Sequence, residues 1–128
     1  MMNSKRTFST LFNPLEGPEI LAETTSEENV LLTLYVNDNL LWFDGHFPQH
    51  KVLPGVVQID WAGKIGKAVY ASDRVFSQLT NIKFKSMVLP DTTMNLELRF
   101  NAEKGALAFH YFNEGDSFST GSFKFIPL

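Results

Sequence analysis

One histidine and one carboxylate are the side chains of this sequence best suited to acid–base chemistry. His46 lies in the stretch GHFP at 45–48, and Asp60 follows fourteen positions later inside an apolar segment. Histidine changes its charge near neutral pH, so it can take up and release a proton under physiological conditions. A carboxyl group in apolar surroundings has to be paired, protonated or used in function. Together the two residues could move a proton onto and off a reacting molecule.

The residues around His46 favour a functional role over a purely structural one. A structural imidazole, bonded to a backbone carbonyl, is the common alternative for any histidine. Gly45 allows unusual backbone angles and Pro48 restricts the path of the chain beyond the histidine. His50 lies in a polar loop and His110 in a predicted strand without an acidic or nucleophilic neighbour in sequence. We therefore predict structural roles for these two histidines.

Asp60 has two explanations. It can form an exposed i,i+4 ion pair with Lys64, an arrangement that is common and contributes little to stability. It can also be a functional carboxylate, because the surrounding segment is apolar on nearly every other face. The sequence leaves both open, and we expect the second.

A single long helix is predicted at residues 55–71, which contain Asp60. Pro54 and Gly55 mark its start. The free N–H groups of its first turn would point back at the preceding loop. Apolar residues cover most of its circumference, so we expect the helix to lie inside the protein.

Five strands are predicted from the alternation of apolar and polar residues, one before the helix and four after it. The alternating runs are 30–36, 80–85, 94–100, 106–112 and 117–126. Residues 1–27 are polar and interrupted by prolines and a glycine, so we expect an irregular arm or a short helix there. A helix covered by one face of an antiparallel sheet makes an α+β fold.

Length and composition restrict the class of protein. A chain of 128 residues with 44% hydrophobic and 20% charged residues predicts one globular domain spanning 1–128. The net charge of −3 argues against nucleic-acid binding. The start lacks a continuous apolar stretch, which predicts neither a signal peptide nor a membrane span and makes the cytoplasm the expected location. The absence of cysteine excludes disulfides and thiolate catalysis.

The motifs together resemble those of the β-hydroxyacyl-acyl carrier protein dehydratases. The matching stretches are GHFP at 45–48, VLPGV at 52–56, ID at 59–60, IKF at 82–84 and VLPD at 88–91. The compound motif carries more weight than GHFP alone. The resemblance implies the hot-dog fold, in which an antiparallel sheet wraps around one long central helix.

The resemblance also implies an activity and a role for each site residue. The family eliminates water from 3-hydroxyacyl thioesters to give trans-2-enoyl thioesters. His46 matches the family's base, and Asp60 matches the acid that assists loss of the hydroxyl group. The N–H of Gly55 matches the donor to the thioester carbonyl, and the Val52 carbonyl matches the group that holds the imidazole tautomer.

Three more residues are expected to bind or orient the substrate. They are Phe47, Pro54 and Trp61. The resemblance further implies a strained peptide next to His46, with a cis His46–Phe47 bond as its extreme form.

Partners and cofactors follow from the resemblance alone. The acyl group would arrive on the phosphopantetheine of an acyl carrier protein, without a metal or a diffusible cofactor. In the family the helix carboxylate comes from the other subunit, so a homodimer with composite active sites is expected. Assembly beyond the dimer is left open.

Three residues depart from the family pattern, and they suggest a specialised member. Lys51 replaces the usual proline, Trp61 replaces an alanine, and Lys64 occupies the position of a glutamine. A dehydratase of a polyene or other secondary lipid pathway fits these departures better than a housekeeping enzyme. Two other classes stay open: a hot-dog acyl thioesterase, which would not need the histidine, and a non-catalytic acyl-binding subunit.

Overall fold

Six strands and one long helix make up the fold in the computed structural model, which describes residue 8, residues 10–44 and residues 51–128. The elements are β1 (Glu19–Thr25), β2 (Asn29–Val36), a 3-10 turn (Leu41–Phe43), α1 (Gly55–Tyr70), β3 (Arg74–Phe84), β4 (Thr92–Asn101), β5 (Ala106–Phe112) and β6 (Ser117–Pro127). The strands form one sheet in the order β1-β2-β4-β5-β6-β3, and all neighbouring pairs are antiparallel.

The core lies between the inner face of this sheet and one face of α1. Alternate side chains of β2, β4, β5 and β6 are buried, as their alternating patterns predict. The helix adds a buried stripe made of Val57, Gln58, Trp61, Ala62, Ile65 and Gly66. The predicted α+β fold, with an antiparallel sheet around a central helix, is confirmed.

The N-terminal region contains a strand that its sequence did not predict. The expectation of an irregular arm or short helix over residues 1–27 is wrong for Glu19–Thr25, which pairs with β2. In this edge strand only Ile20 and Glu23 are half-buried, and a register shift lies between Ile20 and Ala22. A strand that covers so little core needs no alternating apolar pattern.

The other edge strand, β3, is longer and less regular than predicted. It begins at Arg74, whereas the clear alternation begins at Thr80. Two register shifts interrupt its pairing with β6, and Asn81 has a φ of 56° within the second. Asparagine tolerates this left-handed conformation better than most residues. The irregularities break the period of two that predicts strands.

The outward face of α1 is not covered by the chain's own sheet. Val56 is 71% exposed, and Asp60, Lys64 and Lys67 are also exposed. The expectation of a helix buried on nearly all sides therefore holds for one face only in the single chain. The other face borders an open groove. No helix in the described part of the chain is long and apolar enough to cross a membrane.

Candidate active site

Residues 52–55, at the start of α1, form a corner of the chain that hydrogen bonds hold in place. The Leu53 N–H donates to the Val88 carbonyl at 2.8 Å. The Pro54 carbonyl accepts from the N–H groups of Val57 at 3.1 Å and Gln58 at 3.3 Å, which begins the helix. The Gly55 N–H has no acceptor among the described residues and lies at the positive end of the helix dipole. It is therefore available to an incoming oxygen atom.

Gly55 is required by a close contact with β3. The Phe84 ring packs directly over this glycine, and a Cβ atom at the position would overlap the ring. Phe84 is 52% exposed, so its outer face remains open to solvent in the single chain. A side chain at residue 55 would displace this ring from the helix start.

Asp60 forms the ion pair that one of the two sequence interpretations describes. Its Oδ2 lies 3.2 Å from the Lys64 Nζ, with the side chains 49% and 52% exposed respectively. The Lys64 ammonium also lies 5.6 Å from the centroid of the Phe12 ring. The carboxylate is thus half-exposed in the single chain, and its position beside the groove keeps the functional interpretation open.

The groove beside Asp60 has an apolar floor and charged groups at its rim. Its volume is about 350 Å³, and its lining combines one face of α1 with strands β3 and β6. The lining residues are Val56, Ile59, Asp60, Gly63, Lys64, Lys67, Phe76, Phe123 and Phe125. The Phe76 ring packs edge-on against Phe123 and Phe125, with centroids 6.2 Å and 6.3 Å away. This shape suits an acyl chain next to a carboxylate.

Two predicted site residues, His46 and Phe47, lie outside the described residues, as does the predicted strained peptide between them. Their distance from Asp60 therefore stays a prediction. Val52 is described and half-buried. Its carbonyl shares a peptide unit with the Leu53 N–H, so the bond to Val88 fixes the direction in which this carbonyl points.

Trp61 lies on the buried side of the helix and not on the groove side. It is fully buried, its indole N–H donates to the Glu16 carbonyl at 2.9 Å, and Phe12 packs edge-on against it at 6.4 Å. Trp42 donates to the same carbonyl at 2.7 Å. Direct contact of Trp61 with substrate stays a prediction, whereas its role in joining the N-terminal segment to the helix is visible.

Sequence reasoning missed a buried polar network behind the helix start. The Ser119 hydroxyl donates to Gln58 Oε1 at 2.6 Å, and Gln58 Nε2 donates to the Leu53 carbonyl at 3.4 Å. The Tyr111 hydroxyl donates to the Gln58 main-chain carbonyl at 2.7 Å. Burial raises the pKa of Tyr111 well above its usual value, so the phenol stays neutral and can donate. The sequence signal for this network was one glutamine, Gln58, among the apolar residues of the buried helix stripe.

The described residues offer no metal-binding cluster, and His110 is hydrogen-bonded within the sheet. Within the described ranges, no group of three or more His, Cys, Asp or Glu side chains could hold a metal ion. His110 Nε2 lies 2.9 Å from the Ser117 hydroxyl, and its ring lies 4.7 Å from that of Phe112. These contacts suit a structural histidine.

A six-stranded antiparallel sheet packed around one long helix is the hot-dog fold. The chain belongs to the ApeI-like family, whose model, described as ApeI dehydratase, matches residues 22–122. Solved structures support this assignment. The dehydratase heterocomplex ApeI:P from Xenorhabdus doucetiae has a chain 30% identical, with a TM-score of 0.79 over 85% of this chain and 97% of that one.

Further relatives agree with the family. An uncharacterized protein from Erwinia carotovora subsp. atroseptica is 37% identical, with a TM-score of 0.77 over 88% of this chain and 98% of its own. The 3-hydroxyacyl-[acyl-carrier-protein] dehydratase FabZ of Oenococcus oeni is 32% identical over 98 residues, 71% of this chain and 70% of the relative. A hypothetical thioesterase from Streptococcus pneumoniae is 15% identical with a TM-score of 0.70, which shows a shared fold alone.

Proposed function

We propose that this protein removes water from 3-hydroxyacyl thioesters on an acyl carrier protein to give trans-2-enoyl thioesters. Membership of a dehydratase family and similarity to FabZ dehydratases support this activity. The observation that carries the proposal is the place of Asp60, a carboxylate at the rim of an apolar groove, on the helix whose first N–H group, that of Gly55, has no acceptor among the described residues. No metal or diffusible cofactor is part of the proposal.

Each step of the reaction has a group in the proposed site. His46 takes the proton from C2 of the substrate, and the electrons of that C–H bond form the C2=C3 double bond. The C3–O bond breaks, and the hydroxyl group leaves as water with a proton from Asp60. Negative charge develops on the thioester oxygen, where the Gly55 N–H donates a hydrogen bond. The Val52 carbonyl holds the imidazole tautomer that can act as a base.

The geometry of the helix favours a site shared between two chains. Gly55 and Asp60 are five residues apart, which places them about 140° apart around the helix axis. One helix therefore presents the N–H donor and the carboxylate in different directions. A site that combines Gly55 and His46 of one chain with Asp60 of the partner subunit uses both without bending the helix.

The exposed apolar face beside the groove supports a dimer. The β3 apolar face, defined by Phe76, Leu79 and Phe84, is 52%, 37% and 52% exposed, and Val56 of α1 adjoins it. An unpaired edge strand with exposed apolar side chains is a common place for another chain to pair. We propose that a second copy of this chain covers this face. The related ApeI:P complex contains different chains, so a different hot-dog partner is the competing outcome.

The test is to incubate the purified protein with a panel of 3-hydroxyacyl carrier-protein thioesters and weigh the products. Loss of water with the thioester intact supports the proposal. His46→Ala and Asp60→Asn should each lower the rate by about 10²-fold or more. Matched controls are His110→Ala, in the β5 strand, and Asp38→Asn, in an exposed turn, which should keep wild-type activity.

The same assay separates the other classes. Release of a free acid and a free thiol, unaffected by His46→Ala, would identify an acyl thioesterase. Binding of acyl carrier protein without any product would identify a non-catalytic subunit. A panel that spans short, long and polyene chains tests whether Lys51, Trp61 and Lys64 mark a specialised enzyme.

A further inference from the structure

We infer that Gln58 is a positioning residue that fixes the corner of the chain carrying the Val52 carbonyl and the Gly55 N–H. Its effect on catalysis depends on the proposed function, because the roles of those two groups belong to that proposal. The position of the corner itself does not depend on it. The inference comes from the hydrogen bonds that Gln58 makes with its side chain and main chain.

Gln58 is hydrogen-bonded to the sheet at two points and to the loop before the helix at a third. Its side chain is 3% exposed, and Ser119, which donates to its Oε1, is fully buried. Ser119 and Tyr111 are cross-strand neighbours on β6 and β5, and Tyr111 donates to the Gln58 main-chain carbonyl. Two adjacent strands therefore hold one residue of the first helical turns. This leaves the Gln58 amide nitrogen directed at the loop before the helix.

The loop atoms bonded to Gln58 adjoin both proposed catalytic groups. Gln58 Nε2 donates to the Leu53 carbonyl, and the Gln58 N–H donates to the Pro54 carbonyl. The Pro54 carbonyl and the Gly55 N–H belong to one peptide unit, so the second bond directs that N–H. The Val52 carbonyl and the Leu53 N–H belong to the peptide unit on the N-terminal side of Leu53, whose N–H donates to the Val88 carbonyl. Consecutive peptide units on both sides of Leu53 are thus held in place.

A purely structural contact at this position would not need an amide. Burying a polar side chain is costly unless its groups are paired, and an apolar residue of similar volume would pack the same space. Gln58 is one of two buried polar side chains in the described part of the chain, and the other, Ser119, is its partner. The Gln58 amide group acts at the loop before the helix, where its Nε2 donates to the Leu53 main-chain carbonyl.

The test removes the side-chain network while preserving the packing. The double variant Gln58→Met/Ser119→Ala replaces both polar groups, so neither leaves the other unpaired. The matched control is Tyr70→Phe, which removes a tyrosine hydrogen bond to a main-chain carbonyl, that of Ser26, at the opposite end of α1 and outside this network. Measurements are kcat and KM for dehydration, the unfolding temperature, and the amide NMR signals of Leu53 and Gly55.

The inference expects a double variant that folds, with kcat at least tenfold lower, KM within threefold of wild type, and shifted Leu53 and Gly55 signals. Tyr70→Phe should keep kcat within twofold while its unfolding temperature falls. Wild-type kcat in the folded double variant, unmoved amide signals, or an equal loss of kcat in Tyr70→Phe would each overturn the inference.

Two further results are also decisive. A wild-type protein without dehydratase activity would refute the proposed function, and the amide signals alone would then decide the inference. If the double variant does not fold, Ser119→Ala replaces it, because loss of this hydroxyl frees one side of the amide. Shifted Gly55 signals in Ser119→Ala support the inference, and unchanged signals overturn it.

Discussion

The pairing of Asp60 with Lys64 is expected to affect function more than stability. Both side chains are about half-exposed, at 49% and 52%, and their ion pair lies on one face of the helix. Exposed pairs of this kind contribute only about 0.3–0.5 kcal/mol. The pair nevertheless holds the carboxylate in one direction beside the groove, because the Lys64 Nζ lies 3.2 Å from the Asp60 Oδ2. Lys64 is therefore expected to position Asp60.

Replacing Lys64 by glutamine tests this expectation. Loss of the ammonium group removes the ion pair that holds the Asp60 carboxylate, so kcat for dehydration should fall severalfold while the free energy of unfolding changes by less than about 0.5 kcal/mol. The measurements are kcat for dehydration and urea unfolding, with Lys104→Gln as a control that removes one positive charge in the β4–β5 turn. An unchanged kcat, or an equal loss of kcat in the control, would mean that Lys64 does not position Asp60.

Trp61 joins the helix to the N-terminal segment. Its indole N–H donates to the Glu16 carbonyl, which also accepts from Trp42. Gly17 follows this carbonyl, and a Cβ atom there would overlap Phe12, which packs on Trp61. Trp61 does not line the groove, so the contacts that the structure shows act on the position of the helix.

At the level of elements, the sequence predicted the helix and the strands with a regular apolar period, missed the edge strand β1 and predicted only part of the edge strand β3. Strand β5 was predicted at its observed bounds, and α1 within one residue, because each carries a regular apolar period. The edge strands were incomplete. β1 buries little, and the register shifts of β3 break its alternation. Edge strands have fewer packing requirements, so their sequences carry a weaker signal.

The candidate site also contains residues that the sequence indicated and contacts that it did not. Asp60 and Gly55 were proposed as site residues because they belong to one short motif, and the structure places Gly55 at the start of the helix and Asp60 in the lining of the groove. The contacts of Gln58 were not found, because Tyr111 and Ser119 lie 53 and 61 residues away along the chain. Nothing in a single sequence indicates which strand residue will face a given helix residue.

The anchoring of α1 by Tyr111 gives a prediction for alkaline pH. Burial raises the pKa of Tyr111 in the folded protein above its unfolded value of about 10, so its stabilising effect is present below pH 10 and is lost as the pH rises beyond it. Tyr111→Phe should lower the free energy of unfolding by about 1 kcal/mol at pH 7. It should also lose less stability than the wild type between pH 9 and pH 11.

Urea unfolding of both proteins at several pH values measures this difference. The other tyrosines with raised pKa values, Tyr35 and Tyr70, are present in both proteins, so their contributions cancel in the comparison. Parallel declines of the two stabilities with pH would contradict the role assigned to Tyr111.

At the scale of the whole molecule, the β3 apolar face is the surface that we propose a second copy covers. Leu79→Lys places a charge in this face, so it should convert the proposed dimer to a monomer and abolish activity. Leu31→Lys is the matched control, because Leu31 is similarly exposed, at 41% against 37%, but lies on β2. Light scattering after gel filtration measures the mass. A Leu79→Lys protein that remains dimeric would place the interface elsewhere.

Mixing two inactive variants tests whether the active site is shared. If His46 of one chain acts with Asp60 of the partner subunit, the His46→Ala and Asp60→Asn homodimers should each be nearly inactive. In a mixed dimer one site collects both defects, and the other joins an intact His46 to an intact Asp60. Random reassortment at equal concentrations makes about half of the dimers mixed, each with one good site of two.

Recovered activity should therefore approach about a quarter of the wild-type value when the two variants are refolded together, provided that the two sites act independently. If His46 and Asp60 of the same chain act together, no activity should be recovered, because every chain in the mixture lacks one of these two residues. Mass spectrometry of the intact dimers, with one variant isotope-labelled, confirms that mixed dimers have formed. If they are present and the mixture stays as inactive as its parents, the dimer does not share its active site, and Asp60 acts within its own chain or has no part in the reaction.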